Sequence, residues 1–281
     1  TLDISNMRIT NSSVGGIVVN GKLRTSNTGG LFGSNSAITS YIGDKLNLNA
    51  NSEVEYYSAV SQKISTGLDY HHLRVSGVGT KTATGEAIVN GMTYVDAGTL
   101  LIPDTTESQV PNVFNAKKGL SVAAGAIFKL ENNAVLLQDA DANNNNASID
   151  RDRNANVPGD QYNLWTSPVV GQNLYNLYQG IPANRVMVFN TATNNFKSVA
   201  IAISEFAKGY SVRGSSSSPN SGGSNAYTAA PITSNFVGKP NNGNGTFTLI
   251  NTGSRYNLVG NPYPSNFDLD TFYSQNANAL D

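Results

Sequence analysis

The chain has 281 residues, with Lys+Arg 18 against Asp+Glu 19 for a formal net charge of -1, and it contains 27 Gly, 10 Pro and no Cys. That length accommodates one large all-β domain or two ordinary ones with a real hydrophobic core. The balanced charge argues against nucleic acid or an anionic membrane as partner, and the missing Cys removes disulfides, thiol catalysis and thiolate metal sites together. Neutral side chains build the polar surface instead, 38 of them Asn; Asn disfavours helix interiors and suits turns, so the composition points to a turn-rich β protein.

Residues 1–155 read as short strands punctuated by Gly and Asn. From Lys45 to Tyr56 apolar and polar residues alternate, which places Leu46 and Leu48 on one face and Asn47 and Asn49 on the other. Similar units recur: Val18–Leu23 lines up with Ile88–Thr93, and Leu46–Tyr56 with Leu120–Leu130. A strand, a small-residue corner and a second strand are what a β-solenoid coil requires, because each turn buries its inward side chains against its neighbours. Asn20-Gly21 and Asn90-Gly91 are equally the preferred residues of a two-residue hairpin, so a Greek-key sandwich is the alternative. Apolar runs such as Gly16–Val19 and Val199–Ile203 are strand-sized, far short of the roughly 20 residues of a membrane helix, and no membrane span is expected.

Candidate chemistry in this region is sparse. The two histidines, His71 and His72, are adjacent; in a strand they would face opposite ways and could not share a metal. Glu53, Glu55, Asp69, Glu86 and Asp96 are the carboxylates that could meet across coils as a glycosidase pair, against a solvated ridge as the ordinary outcome. Between Gln138 and Ser148 the pattern breaks into low complexity, predicted as a long turn without a core strand, and a boundary is expected near Asn154–Gly159. Asp139, Asp141, Asn143, Asp150 and Asp152 supply the hard oxygens that calcium prefers, making this stretch the candidate cation site. The competing expectation is an acidic turn neutralised by Arg151 and Arg153.

Residues 156–281 change texture as aromatics become denser. Strands are predicted at Arg185–Asn190, Lys197–Ile203, Gly209–Arg213, Thr246–Asn251 and Tyr256–Val259, forming an antiparallel sandwich, with a flexible loop at Gly214–Gly223. Ser265 as N-cap with Asp268 three residues on predicts one short C-terminal helix carrying Phe267, Leu269, Phe272 and Tyr273. Trp165 and Tyr263 are the candidate ligand-binding residues, because either ring can stack on a sugar. A core Trp and a rigid Pro-Tyr-Pro turn are the bland readings of the same residues.

Several strings carry a family resemblance. Ser52–Tyr57, Gln62–Ile64, Tyr70–Thr82 and Ile88–Gly91 resemble the repeated β-helical stretches of large secreted adhesin-like surface proteins of Bacteroidota. Tyr162–Val169, Lys208–Gly214, Phe236–Gly243 and above all Gly260-Asn261-Pro262-Tyr263-Pro264-Ser265 resemble the membrane-distal part of the same proteins. The resemblance implies export by the type IX secretion system to the cell surface. With no sorting domain recognised before Asp281, it also implies an internal fragment of a longer protein. Asp104-Thr105-Thr106 resembles the sites at which these bacteria attach O-linked glycans, which makes Thr105 a candidate glycosylation site.

The expectation is therefore an all-β chain, a β-solenoid-like region over 1–155 followed by an aromatic-rich β-sandwich over 156–281. The expected role is non-enzymatic, a stalk or fibre-like adhesive module. Its expected partners are flanking domains, neighbouring copies, a surface glycan and the secretion machinery; no cofactor is expected, with calcium at the acidic stretch as the alternative. The alternatives are a β-helix polysaccharide lyase or hydrolase and a carbohydrate-binding module.

Overall fold

The structure, a computed structural model, describes residues 1–9, 16–33, 35–38, 46–106, 109–157, 160–214 and 230–278. These are almost entirely β, with one short α-helix near the end, as the composition leads one to expect. The chain begins with β1 (Leu2–Ser5), β2 (Ile17–Val19), β3 (Lys22–Thr25) and β4 (Leu46–Leu48). It then runs through strand triplets: β5 (Glu53–Tyr56), β6 (Gln62–Ile64) and β7 (Asp69–Tyr70); β8 (His72–Val75), β9 (Thr80–Ala83) and β10 (Glu86–Val89); β11 (Thr93–Val95), β12 (Thr99–Ile102) and β13 (Val113–Ala116); β14 (Gly119–Val122), β15 (Ile127–Leu130) and β16 (Val135–Leu137). A last turn adds β17 (Asn143–Asn146) and β18 (Ile149–Val157). Beyond it lie β19 (Tyr162–Trp165), β20 (Val186–Asn190), β21 (Asn195–Val199), β22 (Tyr210–Arg213), β23 (Ala230–Gly238) and α1 (Leu269–Asn276).

From β5 to β15 each strand pairs in parallel with the strand three places later, so the chain visits three sheets in rotation. The sheets are β1-β3-β5-β8-β11-β14-β17, β16-β13-β10-β7, and β23-β18-β15-β12-β9-β6, the last closed by β23 running antiparallel to β18. In-register pairing stacks like on like, and strand alternation puts every second residue inside. Leu23, Val54, Leu73, Thr93 and Leu120 form one inward column. Gln62, Lys81, Leu100, Phe128 and Ile149 form another. Phe114 meets Phe128 edge to face across the interior, ring centres 5.3 Å apart, and each such side chain contributes about 1.5–3 kcal/mol by leaving water.

The coil corners explain the Asn-Gly pairs. Asn20-Gly21 joins β2 to β3 and Asn90-Gly91 joins β10 to β11, and both lead between parallel strands rather than around a hairpin. At Gly91 an added Cβ would lie 2.5 Å from the His71 carbonyl oxygen, and at Gly119 (φ +123°) 2.1 Å from that of Asn143. Only glycine allows that approach. The alignment of Val18–Leu23 with Ile88–Thr93 is the structural one, since Leu23 and Thr93 share a column. The alignment of Leu46–Tyr56 with Leu120–Leu130 is not: β4 pairs with β2 in a separate two-stranded sheet, whereas β14 lies in the long one.

Other expectations are corrected. The low-complexity stretch does supply a strand, β17, whose Asn144 is buried because its side-chain amide exchanges two 2.8 Å hydrogen bonds with Gln138. The strand predicted at Lys197–Ile203 ends at Val199, Thr246–Asn251 forms none, and Tyr256–Val259 reduces to a single bridge between Val259 and Lys208. The helix cap is Asp268, whose carboxylate accepts from the Thr271 N–H, so the expected Ser265 cap is three residues early. Most of the loop predicted at Gly214–Gly223 lies outside the described residues. The antiparallel part of the second region is one four-stranded sheet, β19-β22-β20-β21, whose inner Val186, Tyr210 and Val212 share a continuous core with the wound sheets. The position between residues 155 and 156 falls inside β18. No helix among the described residues is long and apolar enough to cross a membrane.

Candidate ligand-binding cleft

The last parallel strand of the six-stranded sheet, β18, determines the most distinctive chemistry. In Ile149-Asp150-Arg151-Asp152-Arg153 the period of two sends acids and bases to opposite faces. Asp150 and Asp152 go outward, where both meet the Lys129 ammonium at 2.8 and 2.7 Å and both accept from the Asn235 amide of β23. Arg151 therefore does not neutralise its sequence neighbours. It occupies the inward position beneath Leu130, is 4% exposed, and donates from Nη1 to the Glu131 carbonyl at 2.7 Å. Arg153 follows, donating to the Asn132 carbonyl at 2.8 Å. Burial and the neighbouring Arg153 push the Arg151 guanidinium below its ordinary range, with Asp152 and then Asp104 pulling the other way; burial does the same to Arg153, opposed by Asp104 alone. Neither forms an ion pair among the described residues.

These two arginines line a cleft of about 330 Å³ where the coil stack meets the antiparallel sheet. Its other walls include Trp165 of β19, Phe236 of β23, Gly209, and the Leu258–Asn261, Tyr263 and Ser265–Asn266 segment. Trp165 and Tyr263, chosen separately in the sequence, thus face one cavity. Trp165 is half-buried, its ring edge-to-face with Phe236 at 5.9 Å, and its indole N–H is shielded without an acceptor among the described residues. Tyr263 packs edge-on against Phe206 at 5.6 Å and donates its hydroxyl to the Gly243 carbonyl at 2.7 Å.

The Gly-Asn-Pro-Tyr-Pro-Ser segment is a clamp. Asn261 accepts from the Tyr263 N–H and donates to the Ser265 carbonyl, closing the turn on itself. The Pro264 carbonyl accepts from the Leu136 N–H at 3.0 Å, and Asn241 ties the Pro262 carbonyl to that of Ser167. The turn so fixed covers the end of β16 and holds Tyr263 at the cleft.

The remaining candidates lie elsewhere. The calcium set is divided: Asp139 and Asp141 share Lys118 at 3.1 and 3.5 Å, Asp150 and Asp152 share Lys129, and Asn143 folds back to accept from the Asn145 N–H. Among the described residues no group of three or more His, Asp or Glu is placed to hold a metal ion. His71 forms the corner between β7 and β8 and His72 opens β8, so the two do not lie within one strand. Their rings touch at 4.5 Å, and His72 Nδ1 accepts from the Met92 N–H. The Thr105 hydroxyl is shielded from solvent, so attaching a glycan there requires a local opening.

Glu53 and Glu55 do share a face, the outward side of β5, but each is tied to cations of adjacent strands. Lys22 bridges both at 2.9 and 2.7 Å, Arg24 joins Glu55 to Asp3, and Arg74 joins Glu53 to Asp96. Burial alone would raise both glutamates; the hydrogen-bonded Arg74 and Lys22 at Glu53, and Lys22 and Ser76 at Glu55, outweigh it and hold both below the ordinary carboxylate range.

The molecule is thus of the all-β class, with three parallel wound sheets, an antiparallel sheet and a basic aromatic cleft at their junction. The chain belongs to the family described as domain of unknown function (DUF8693), whose model matches residues 75–281. The match contains every residue of the cleft and leaves out β1 to β7 and all but the last residue of β8, with Lys22, Arg24, Glu53, Glu55 and Arg74. No curated protein and no solved structure matches the chain.

Proposed function

We propose that this chain is a non-enzymatic structural and adhesive module of an exported cell-surface protein, in which a β-solenoid stalk presents the junction cleft. The observation that carries the reading is the ion-pair ladder of Asp3, Lys22, Arg24, Glu53, Glu55, Arg74 and Asp96. A polysaccharide hydrolase needs one carboxyl group kept protonated opposite an ionised one. Both glutamates of the ladder are instead held ionised, and their partners lie in neighbouring coils, so the ridge staples the stack. Arg24 and Arg74 also lie over the rings of Tyr57 and Tyr94 at 4.4 and 4.3 Å, covering apolar surface with paired charge.

The family resemblance supports export and surface location, and it leaves the flanking domains of a longer chain as the natural partners. Protease shaving of intact source cells tests this: the chain should be released from the surface fraction. Recovery solely from the cytosol would remove the proposal. Release of reducing ends or unsaturated uronates from a polysaccharide panel would overturn the non-enzymatic part.

Carbohydrate binding is the second reading, favoured by the convergence of Trp165 and Tyr263 on one cleft. Trp165→Ala should abolish glycan-array binding while retaining the native β signal in circular dichroism.

A further inference from the structure

Resting on that second reading, we infer that the junction cleft recognises an acidic saccharide, with the guanidinium groups of Arg151 and Arg153 receiving the carboxylate of a uronic acid and Trp165 and Tyr263 receiving the sugar faces. Two guanidiniums beside each other in a half-enclosed cavity are costly, because each loses hydration and each repels the other. Proteins ordinarily match such groups with carboxylates, as this one does at every rung of its outer ladder. Here the strand alternation withholds direct partners: Asp150 and Asp152 are ion-paired with Lys129 on the far face, and Asp152 reaches Arg151 only as a field through the strand. Asp104, the other acid near the pair, is turned to accept from the Thr105 and Asn133 N–H groups.

Among the described residues each arginine hydrogen-bonds from Nη1 to a backbone carbonyl. That bond fixes the fork and leaves donors over. A guanidinium presents its N–H groups in a plane that fits a carboxylate with two parallel bonds. The cleft also offers what a sugar ring needs: aromatic surface from Trp165 and Tyr263, and amides or hydroxyls from Asn261, Ser265, Asn266 and Thr166. A cavity of about 330 Å³ is at the small end of ordinary ligand sites, which run from about 300 Å³. It suits one or two sugar units rather than a long chain.

Titration calorimetry with tri-galacturonate, its fully methyl-esterified form and tri-aspartate tests the inference on the unmodified protein. The acid should bind at least about tenfold more tightly than the ester, a difference of about 1.4 kcal/mol, and more tightly than the peptide. Arg153→Gln should weaken tri-galacturonate by about tenfold or more with an unchanged melting temperature, whereas Lys197→Gln, an equal loss of charge on exposed β21, should not. Equal binding of acid and ester overturns the acidic preference and leaves a neutral-sugar cleft standing. Tri-aspartate binding as tightly as tri-galacturonate overturns the saccharide class. No binding by either sugar overturns the inference and the carbohydrate reading together, and leaves surface location to the shaving experiment.

Discussion

The middle of the coil stack and its C-terminal end each bury a cation, and they treat it differently. Lys81 sits in an inward column between Gln62 and Leu100 and is fully buried. Its ammonium donates to the carbonyls of Ser58, Gly77 and Gly79 at 2.6, 2.5 and 3.0 Å, so all three of its protons are used. Arg151 lies in the adjacent column between Leu130 and Phe236, with one carbonyl and an open cavity. The first cation holds a corner of the chain together; the second is held by the chain with bonding capacity unspent. Burial alone therefore does not mark a charged residue as functional, and the count of its satisfied donors is what separates the two.

The comparison breaks most severely if the stack itself is cut. Phe128→Ala should destabilise the protein by about 3–5 kcal/mol, because the ring lies in a closed column against Phe114 and its neighbours cannot collapse into the space; urea unfolding measures it. Lys81→Met keeps the volume but strands three carbonyls, and should cost about 1–3 kcal/mol.

The same residue gives a pH signature. Burial pushes Lys81 down to about 8 from 10.5, so between those values the unfolded chain binds the extra proton. Stability attributable to Lys81 must then rise with pH across that window. The difference in unfolding free energy between the natural chain and Lys81→Met should grow from pH 8 to 10, and a flat difference would refute the assignment. Smallest is the ladder: Glu55→Gln should cost about 1 kcal/mol or less, an effect that shrinks further in high salt.

How much of this was legible in the sequence depends on period. The alternation at Leu46-Asn47-Leu48 and the Asn-Gly corners were readable because each coil repeats a local rule. The spacing was not, because column neighbours Val54, Leu73, Thr93 and Leu120 are separated by steps of 19, 20 and 27 residues. The longest step contains the excursion from Pro103 to Asn112 between β12 and β13. Trp165 and Tyr263 were recognisable as aromatics able to bind, yet nothing in the sequence joins positions so far apart. The arginine pair was missed although its signal was present: Asp-Arg-Asp-Arg in a strand must separate its charges, and only the assumption of a turn there concealed it. The strand Asn143–Asn146 was missed for a different reason, since Asn144 can be inside solely because Gln138 is there to pair with it.

The antiparallel closure by β23 has a consequence for growth. Every other pairing in its sheet is parallel, and a coil from another molecule that continued the winding would need a parallel edge in matching register. At β23 it meets a strand of the opposite polarity. In the language of polymers that strand is a chain terminator for its sheet: a parallel coil cannot continue the winding there, and the Asn235 and Val237 N–H groups of its outer edge are already taken by Leu177 and Gln172.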